Sequence, residues 1–482
     1  MMPESHLVKE RKKKLTELKK SGINPYAYSY PKSHDANSIK ENFKKYESKK
    51  VSVAGRIISM RSMGKLTFID LQDQSGRIQL LVKQDNIKNY DLLRLLDNGD
   101  IIGCKGTVFK TKRGEISVDC TNLDLLSKSL RPLPEKWHGL KDAETRYRQR
   151  YLDLIMNPEV KEIFIKRAKI YQAIREFLDK HGFIEVQTPI LQTQYGGANA
   201  RPFVTKINAW NIRMYLRIAY EMHLKRLMVG GFEKIYDMSS CFRNEGVDKT
   251  HNPEFAMIEI QQMYADYNDM MKLTEELWEY VAKKVLGTTK IEHSGNIIEL
   301  KAPWKRITMH DAIKELAAID TEKFSDKELA AEARKHKIEI AAKATRGEIV
   351  IALFENLCEH KLIQPTHIVD HPVEACPLAK QHRSKPGLIE RVEPFINGWE
   401  IGNGYSELIN PEVQKKHLEE QAEKGRGGDE EAHPMDKDYI NALEYGLPPN
   451  AGMGIGIDRM VILLTGADSI RDVTLFPIMK PK

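Results

Sequence analysis

Cysteine is scarce in this chain and long apolar runs are missing, and each shortage closes off a class of protein. Only five cysteines stand among 482 residues: Cys104, Cys120, Cys241, Cys358 and Cys376. They are odd in number and far apart, without the close pairs from which structural zinc sites are built. A disulfide-framed secreted domain is thereby excluded, and a reduced, cytoplasmic setting with no zinc is expected. No stretch approaches the ~18 to 20 apolar residues of a membrane span, so no membrane partner is expected either. The first residues also lack the apolar core and small-residue cleavage site of a secretory leader. They are rich in lysine but carry Glu4, Glu10 and Glu17, which predicts a basic helix rather than an address.

What is present is a balanced globular composition, 41% hydrophobic and 30% charged, in a chain too long for one ordinary core. The net charge of +7 hides a division. Residues 1–150 hold 31 Lys and Arg against 18 Asp and Glu, whereas the remainder holds 44 against 50. A basic front module suits a polyanionic partner, because releasing condensed counterions drives nucleic-acid binding. A merely solvated basic surface is the plainer alternative.

Residues 51–125 read as five short alternating strands, at 51–57, 66–71, 77–82, 101–108 and 115–118. Turn residues Gly64, Gly76, Gly99 and Gly114 separate them. Five such strands predict a small closed barrel of the OB-fold type, a frequent binder of single-stranded nucleic acid. Residues 130–150 are proline-broken and basic, which suits a linker that also touches RNA. Helical periodicity runs over 160–181 and stops at Gly182; it returns over 262–286 and 308–362, while 424–431 reads as a charged, Gly-rich surface loop. The predicted organisation is a basic helical extension over 1–50, a barrel over 51–130, a linker over 131–150, and an α+β domain over 151–482 on a mostly antiparallel sheet flanked by helices.

The most informative segment is KIYDMSSCFR at 234–243, followed by the polar loop NEGVDKTHN at 244–252 and the strand PEFAMIEI at 253–260. Period two puts Phe255, Met257, Glu259 and Gln261 on one face of the return strand, with Arg243 near the end of the outgoing one. A guanidinium fork suits phosphate, an aromatic ring can stack on a base, and Glu245 can accept from an exocyclic amine. For a lone arginine, an ordinary hairpin with an ion pair remains the alternative. A second segment, AGMGIGIDR at 451–459, has glycines that let a ligand approach the backbone, and Arg459 opens the helix that follows. It lacks the βαβ context of a dinucleotide site.

Together these segments resemble motifs two and three of the class II aminoacyl-tRNA synthetases, and GFIEVQTP at 182–189 resembles motif one. With RYRQRYLD at 146–153, GGA at 196–198, YLRI at 215–218 and GNGYSE at 402–407, the resemblance narrows to the lysyl-tRNA synthetase family over nearly the whole chain. It implies an OB-fold anticodon-binding domain ahead of a class II catalytic domain, lysine, ATP and lysine tRNA as substrates, and Mg²⁺ as cofactor. It also implies a homodimer formed around motif one's proline, here Pro189.

Carried over residue by residue, the resemblance assigns Arg243 to the lysine carboxylate and α-phosphate, and Glu245 and Phe255 to adenine. His251 and Asn252 line the triphosphate, and Arg459 holds the γ-phosphate. Glu393 and Glu400 are the Mg²⁺ ligands. The turn at Asn397 and Gly398 makes Phe395 oppose Glu400, and the two carboxylates diagonal neighbours; two solvated strand carboxylates are the alternative reading.

Gly197, Glu221, Glu259, Gln261, Asn403, Tyr405 and Glu407 are assigned to lysine. Strict alternation would turn Asn403, Tyr405 and Glu407 away from Glu400, so a bulge near 402–404 is predicted. Arg61, Phe68, Gln79 and Glu115 are assigned to the anticodon, with barrel core the alternative for Phe68. The sequence departs from the family pattern at Gln261, Thr250 and Tyr220, where tyrosine, arginine and proline are usual. An aspartate or asparagine specificity, an RNA-binding paralogue without charging activity, and a ligase that lysylates protein are the competing functions.

Overall fold

The protein is described by a computed structural model covering residues 5–134, 140–341, 343–426 and 434–481. It divides into two compact units, 1–141 and 142–482.

In the first unit, alternating sequence closes into a barrel. Strands Lys50–Met63, Leu66–Gln72, Arg77–Lys83, Ile101–Lys110 and Ile116–Ser127 pair around the ring, with the fifth strand between the third and fourth. Ile69, Leu71, Ile78, Leu80 and Val82 point inward and are buried together, whereas Phe68 stays outside that cluster. The first strand turns the barrel corner at a register slip between Ile57 and Ser59. Nearby, a Cβ on Gly55 would lie 2.4 Å from the Gln72 carbonyl oxygen. The basic helix His6–Lys20 forms as predicted, with Ser5 as its cap. The segment ahead of the barrel is more than an appendage, because Leu18, Ala36 and Ile39 are buried in the barrel core. Arg11 fixes it further by donating to the carbonyls of Asn98 at 2.8 Å and Arg131 at 2.9 Å.

The second unit is built on a nine-stranded sheet. From one edge its strands run Lys305–Thr308, Thr366–Pro372, Leu388–Ile396, Gly402–Ser406, Asn450–Gly456, Glu254–Met263, Lys234–Phe242 and Ile184–Glu185, with Trp399–Glu400 pairing beside Leu388–Ile396. Only the pairs at the two edges are parallel. Helices Pro158–Lys180 and Tyr267–Leu286 contribute Ile174, Phe177, Met270 and Trp278 to the core against the sheet's Tyr236, Ile258 and Ile455. The second of these helices starts in a capping box of Asp266 and Asp269 and ends at Gly287, whose φ of +75° suits glycine.

Four expectations need correction. The segment predicted as a linker over 131–150 is partly helical, and the second unit begins at residue 142 instead of 151. The reason is Arg150, which is fully buried and donates to the carbonyls of Leu475 and Arg471 while pairing with Asp153 at 2.6 Å. Helical structure begins at Tyr267, because the preceding strand extends to Met263. The helical stretch 308–362 is three α-helices, Met309–Ala317, Asp326–Lys335 and Arg346–Leu357, followed by a short 3-10 turn. The loop predicted over 424–431 is helical as far as Arg426; its later part lies outside the described residues.

Candidate active site

The central strands of the second unit form the floor of a cavity of about 400 Å³. Strand Glu254–Met263 lies between Lys234–Phe242 and Asn450–Gly456, and its alternation presents Phe255, Met257, Glu259 and Gln261 to the cavity. Gly197, Glu221, Arg243, Glu245, His251, Asn252, Glu400, Asn403, Tyr405, Glu407 and Arg459 line it as well.

At one end, Arg243 follows the outgoing strand, and its backbone N–H donates to the Pro253 carbonyl at 2.9 Å, closing the base of the loop. Its guanidinium sits 5.1 Å from the Phe255 ring centroid, a cation–π distance. Among the described residues it donates only to the Ile218 carbonyl, at long distances of 3.4 and 3.5 Å. Glu245 is exposed and accepts from the Arg201 N–H at 3.3 Å. His251 shares a hydrogen bond of 2.8 Å with Asp248, and its other ring nitrogen is 3.4 Å from Arg459. Burial would raise the Asp248 carboxyl, but the backbone N–H groups of Thr250 and His251 and the His251 side chain hold it down at about 2. Asn252 is buried, donating to the Glu254 carbonyl at 2.6 Å, while its own side-chain oxygen has no hydrogen-bond partner among the described residues.

Arg459 is the third residue of helix Ile457–Thr465, which Gly456 caps. It donates to the Glu400 backbone oxygen and lies 3.5 Å from the Glu400 carboxylate. Burial raises Glu400, Arg459 opposes that rise, and the charge of Glu393 adds to it. Phe395 opposes Glu400 as the turn chemistry predicts. The pairing then slips by one residue to Val392 opposite Gly404, the bulge that alternation required, and this brings Asn403, Tyr405 and Glu407 into the cavity wall. Glycine is needed in the bulge, since a Cβ on Gly402 would lie 2.6 Å from the Gly454 carbonyl oxygen.

Glu393 departs from its expected position: it is not part of the cavity lining. It bonds to Arg391 at 2.5 Å and lies 3.3 Å from His371. Burial would raise Glu393, but Arg391 and His371 outweigh it and hold the carboxyl at about 2. Among the described residues no three His, Cys, Asp or Glu side chains gather into a metal cage. Two carboxylates are nevertheless a sufficient protein contribution for Mg²⁺, which keeps waters and takes its other oxygens from substrate phosphates.

The opposite end of the cavity is acidic and closed. Glu259 is buried beside Glu221, and its carboxylate accepts from the Tyr220 N–H at 3.1 Å. Burial, reinforced by Glu221, pushes Glu259 up to about 8. Glu407 accepts from the Gln261 amide at 2.8 Å, and Lys225 reaches it at 2.5 Å. Gly197 has a φ of +89°, which favours glycine, and a Cβ there would crowd the Cβ atoms of Ala219 at 3.0 Å and Glu221 at 3.2 Å.

Sequence reasoning passed over Lys225, Arg391 and Asp458. Lys225 lies one helical turn after Glu221, and this (i, i+4) spacing was a readable signal. Arg391 shares a strand face with Glu393. Asp458 accepts from the Ala256 N–H at 2.7 Å and pairs with Arg167 at 2.5 Å, locking the Arg459 helix to the floor strand; nothing local in the sequence announces that long-range contact.

On the barrel a separate hollow of about 430 Å³ is lined by Arg61, Gln79 and Glu115, together with Lys40, Asp70, Arg77, Ile78 and Arg113. Phe68 pairs with Arg61 across the first two strands and is half-buried on the outside of the barrel, which removes the barrel-core alternative.

Residues 142–480 match the class II tRNA synthetases (D, K and N), and residues 51–126 match the OB-fold nucleic-acid-binding domain of the anticodon-binding type. The chain is 54% identical to a lysine–tRNA ligase of a Thermoanaerobacter species, over 99% of this chain and 97% of that one. It is 53% identical to the lysine–tRNA ligase of Pelotomaculum thermopropionicum, over 99% and 96% of the two chains. For that of Clostridium perfringens the identity is 51%, over 98% and 96%.

Proposed function

The chain belongs to the class II tRNA synthetases of the D, K and N group, and from that premise we propose that it activates L-lysine with ATP and transfers the lysyl group to the 3′ end of lysine tRNA. One observation carries the choice of amino acid. A single cavity joins a nucleotide end, with Arg243 beside Phe255, to an end holding three buried acids, Glu221, Glu259 and Glu407. An acidic substrate such as aspartate would meet repulsion there, whereas lysine brings two ammonium groups.

In the first step a lysine carboxylate oxygen attacks the α-phosphorus, the bond to the β-phosphate breaks, and pyrophosphate leaves. No protein nucleophile is needed; the work is positioning and charge stabilisation. Arg243 bridges the attacking carboxylate and the α-phosphate, because among the described residues its guanidinium has no carboxylate in ion-pair contact. Phe255 stacks on adenine, Glu245 accepts from the adenine amine, and His251 and Asn252 line the triphosphate. Arg459 exchanges its contact with Glu400 for the γ-phosphate. Glu400 and Glu393 would hold Mg²⁺, which would offset the phosphate charge. In the second step the terminal ribose hydroxyl of the tRNA attacks the lysyl carbonyl, and AMP leaves.

Gly197 and Glu221 receive the α-ammonium, with Glu259 behind them, and Glu407 with Gln261 receives the side-chain ammonium; Asn403 and Tyr405 close the wall. On the barrel, Phe68 stacks on an anticodon base, while Arg61, Gln79 and Glu115 read base edges.

A homodimer is supported by an exposed apolar group at and after Pro189, in which Leu191, Val204 and Ile212 belong to one three-stranded sheet beside exposed Ile190. A cytoplasmic location suits five unpaired cysteines, and none of the described helices is long and apolar enough to cross a membrane. The test is amino-acid-dependent ATP–pyrophosphate exchange. Exchange with lysine is expected; exchange with aspartate and none with lysine would overturn the reading, and tRNA binding without adenylate formation would favour an RNA-binding paralogue.

A further inference from the structure

The carboxylates expected to receive lysine are already bridged by a lysine of the chain itself. Lys225 is fully buried on helix Glu221–Val229. Its Nζ lies 2.5 Å from Glu221 Oε1 and 2.5 Å from Glu407 Oε2. The rings of Tyr405 and Tyr439 flank the ammonium at 5.5 and 5.9 Å. Burial would pull Lys225 down, but Glu221 and Glu407 outweigh it and hold it well above its ordinary value. Lys225 does not line the cavity, whereas both of its acidic partners do. It therefore stands behind the wall as a fixed internal cation.

The remaining oxygen of Glu407 is also engaged, since Oε1 accepts from Gln261 Nε2 at 2.8 Å. Glu407 Oε2 meets the Lys225 ammonium as an ion pair without a hydrogen bond of good geometry, and among the described residues Gln261 Oε1 is buried without a hydrogen-bond partner. A buried carbonyl left in that state costs free energy until a donor arrives. Glycine on the neighbouring strand preserves the arrangement: a Cβ on Gly452 would lie 2.2 Å from Gln261 Nε2 and 2.6 Å from Glu407 Oε1. The charge count agrees. At this closed-in end of the cavity the three acids Glu221, Glu259 and Glu407, less one internal ammonium, leave two negative charges once Glu259 ionises, matching the two ammonium groups of lysine, with Arg243 left for its carboxylate.

We propose that Lys225 is a positioning residue for amino-acid selection: by clamping Glu221 to Glu407 it fixes the separation of the two ammonium subsites and leaves Gln261 Oε1 as the open acceptor for the substrate's terminal ammonium. This rests on the lysine-activating reading above and extends it to chain length. Because the two acids cannot close together, a diamino acid one methylene shorter, ornithine, cannot satisfy both ends.

The experiment compares the full-length wild type with Lys225→Met and Lys225→Arg in pyrophosphate exchange, measuring KM for lysine, for ornithine and for ATP. Lys225→Met is expected to raise the lysine KM about 10- to 100-fold, the loss typical of a charge-assisted hydrogen bond. The ATP KM should stay within about twofold, and the preference for lysine over ornithine should shrink. Lys225→Arg keeps the cation and should shift lysine KM in the same direction by less, so it carries the test if the methionine variant does not fold. Wild-type lysine KM and ornithine discrimination in a folded variant would overturn the proposal, as would equal changes in the lysine and ATP constants. A wild type that exchanges with aspartate alone would instead overturn the underlying reading, before any variant is compared.

Discussion

The two hollows of this protein are opposite in construction. In the synthetase unit almost every charged group at the site is already held. Lys225 bridges Glu221 and Glu407, Arg391 and His371 hold Glu393, and Arg459 meets Glu400. On the barrel the cations stand at the surface, and among the described residues the ion pair within that hollow is Lys40 with Glu115 at 3.1 Å. Preorganised, partnered charge selects a small ion by geometry, because its alternatives have been removed. Loose surface charge and a half-buried ring on the outer face suit a flexible polyanion, whose affinity comes from many adaptable contacts.

The contrast can be broken or sharpened in four ways, taken from the largest effect to the smallest. Arg243→Ala should lower pyrophosphate exchange by about 1,000-fold, since it removes the donor that follows charge from carboxylate to phosphate; a loss under tenfold would show that this end is not preorganised. Glu407→Gln should raise the lysine KM about 100-fold with little change for ATP, as expected when one partner of a charged hydrogen bond is lost. Phe68→Ala should leave exchange unchanged but weaken tRNA in the charging assay by about 10-fold or more, the typical worth of one base stacked on a ring. Loss of exchange in that variant would contradict the division of labour.

The smallest effect is a pH dependence. Burial pushes Glu259 up to about 8, so near neutrality it is largely protonated in the free protein and must ionise to face an ammonium. The lysine KM should therefore fall as pH rises from about 6.5 to 8, by at most about tenfold per unit. The linkage to stability has the opposite sign. Because the folded protein holds this proton more tightly than the unfolded chain, its contribution to stability is full below the ordinary carboxyl range and is lost as pH rises through about 8. Melting scans with and without lysine would reveal both, with lysine restoring Tm most at the alkaline end.

Much of the architecture was legible because strand alternation and turn residues are local signals. The five barrel strands, the face shared by Phe255, Glu259 and Gln261, and the bulge near Gly402 all follow from period two and glycine sterics. Arg150 shows where local signals fail. It lies in a basic, proline-flanked stretch that reads as a linker, yet it is buried by carbonyls from residues 471–475. Glu393 is a mixed case: Arg391, two residues before it, shares its strand face and was legible locally, whereas only the fold brings His371 against it.

The sequence alone determined which chemical groups exist and their order along the chain: the barrel, the two arginine-bearing segments and the acids of the final hairpin. Those properties depend on neighbours within a few residues, where backbone geometry leaves few choices. The tertiary structure decided which charges meet. Lys225 and Glu407 are far apart in sequence, and whether a buried ammonium neutralises one carboxylate or bridges two depends on how the helix Glu221–Val229 packs against the sheet. Electrostatic pairing in a dry interior follows distance in space, and that distance is set by packing.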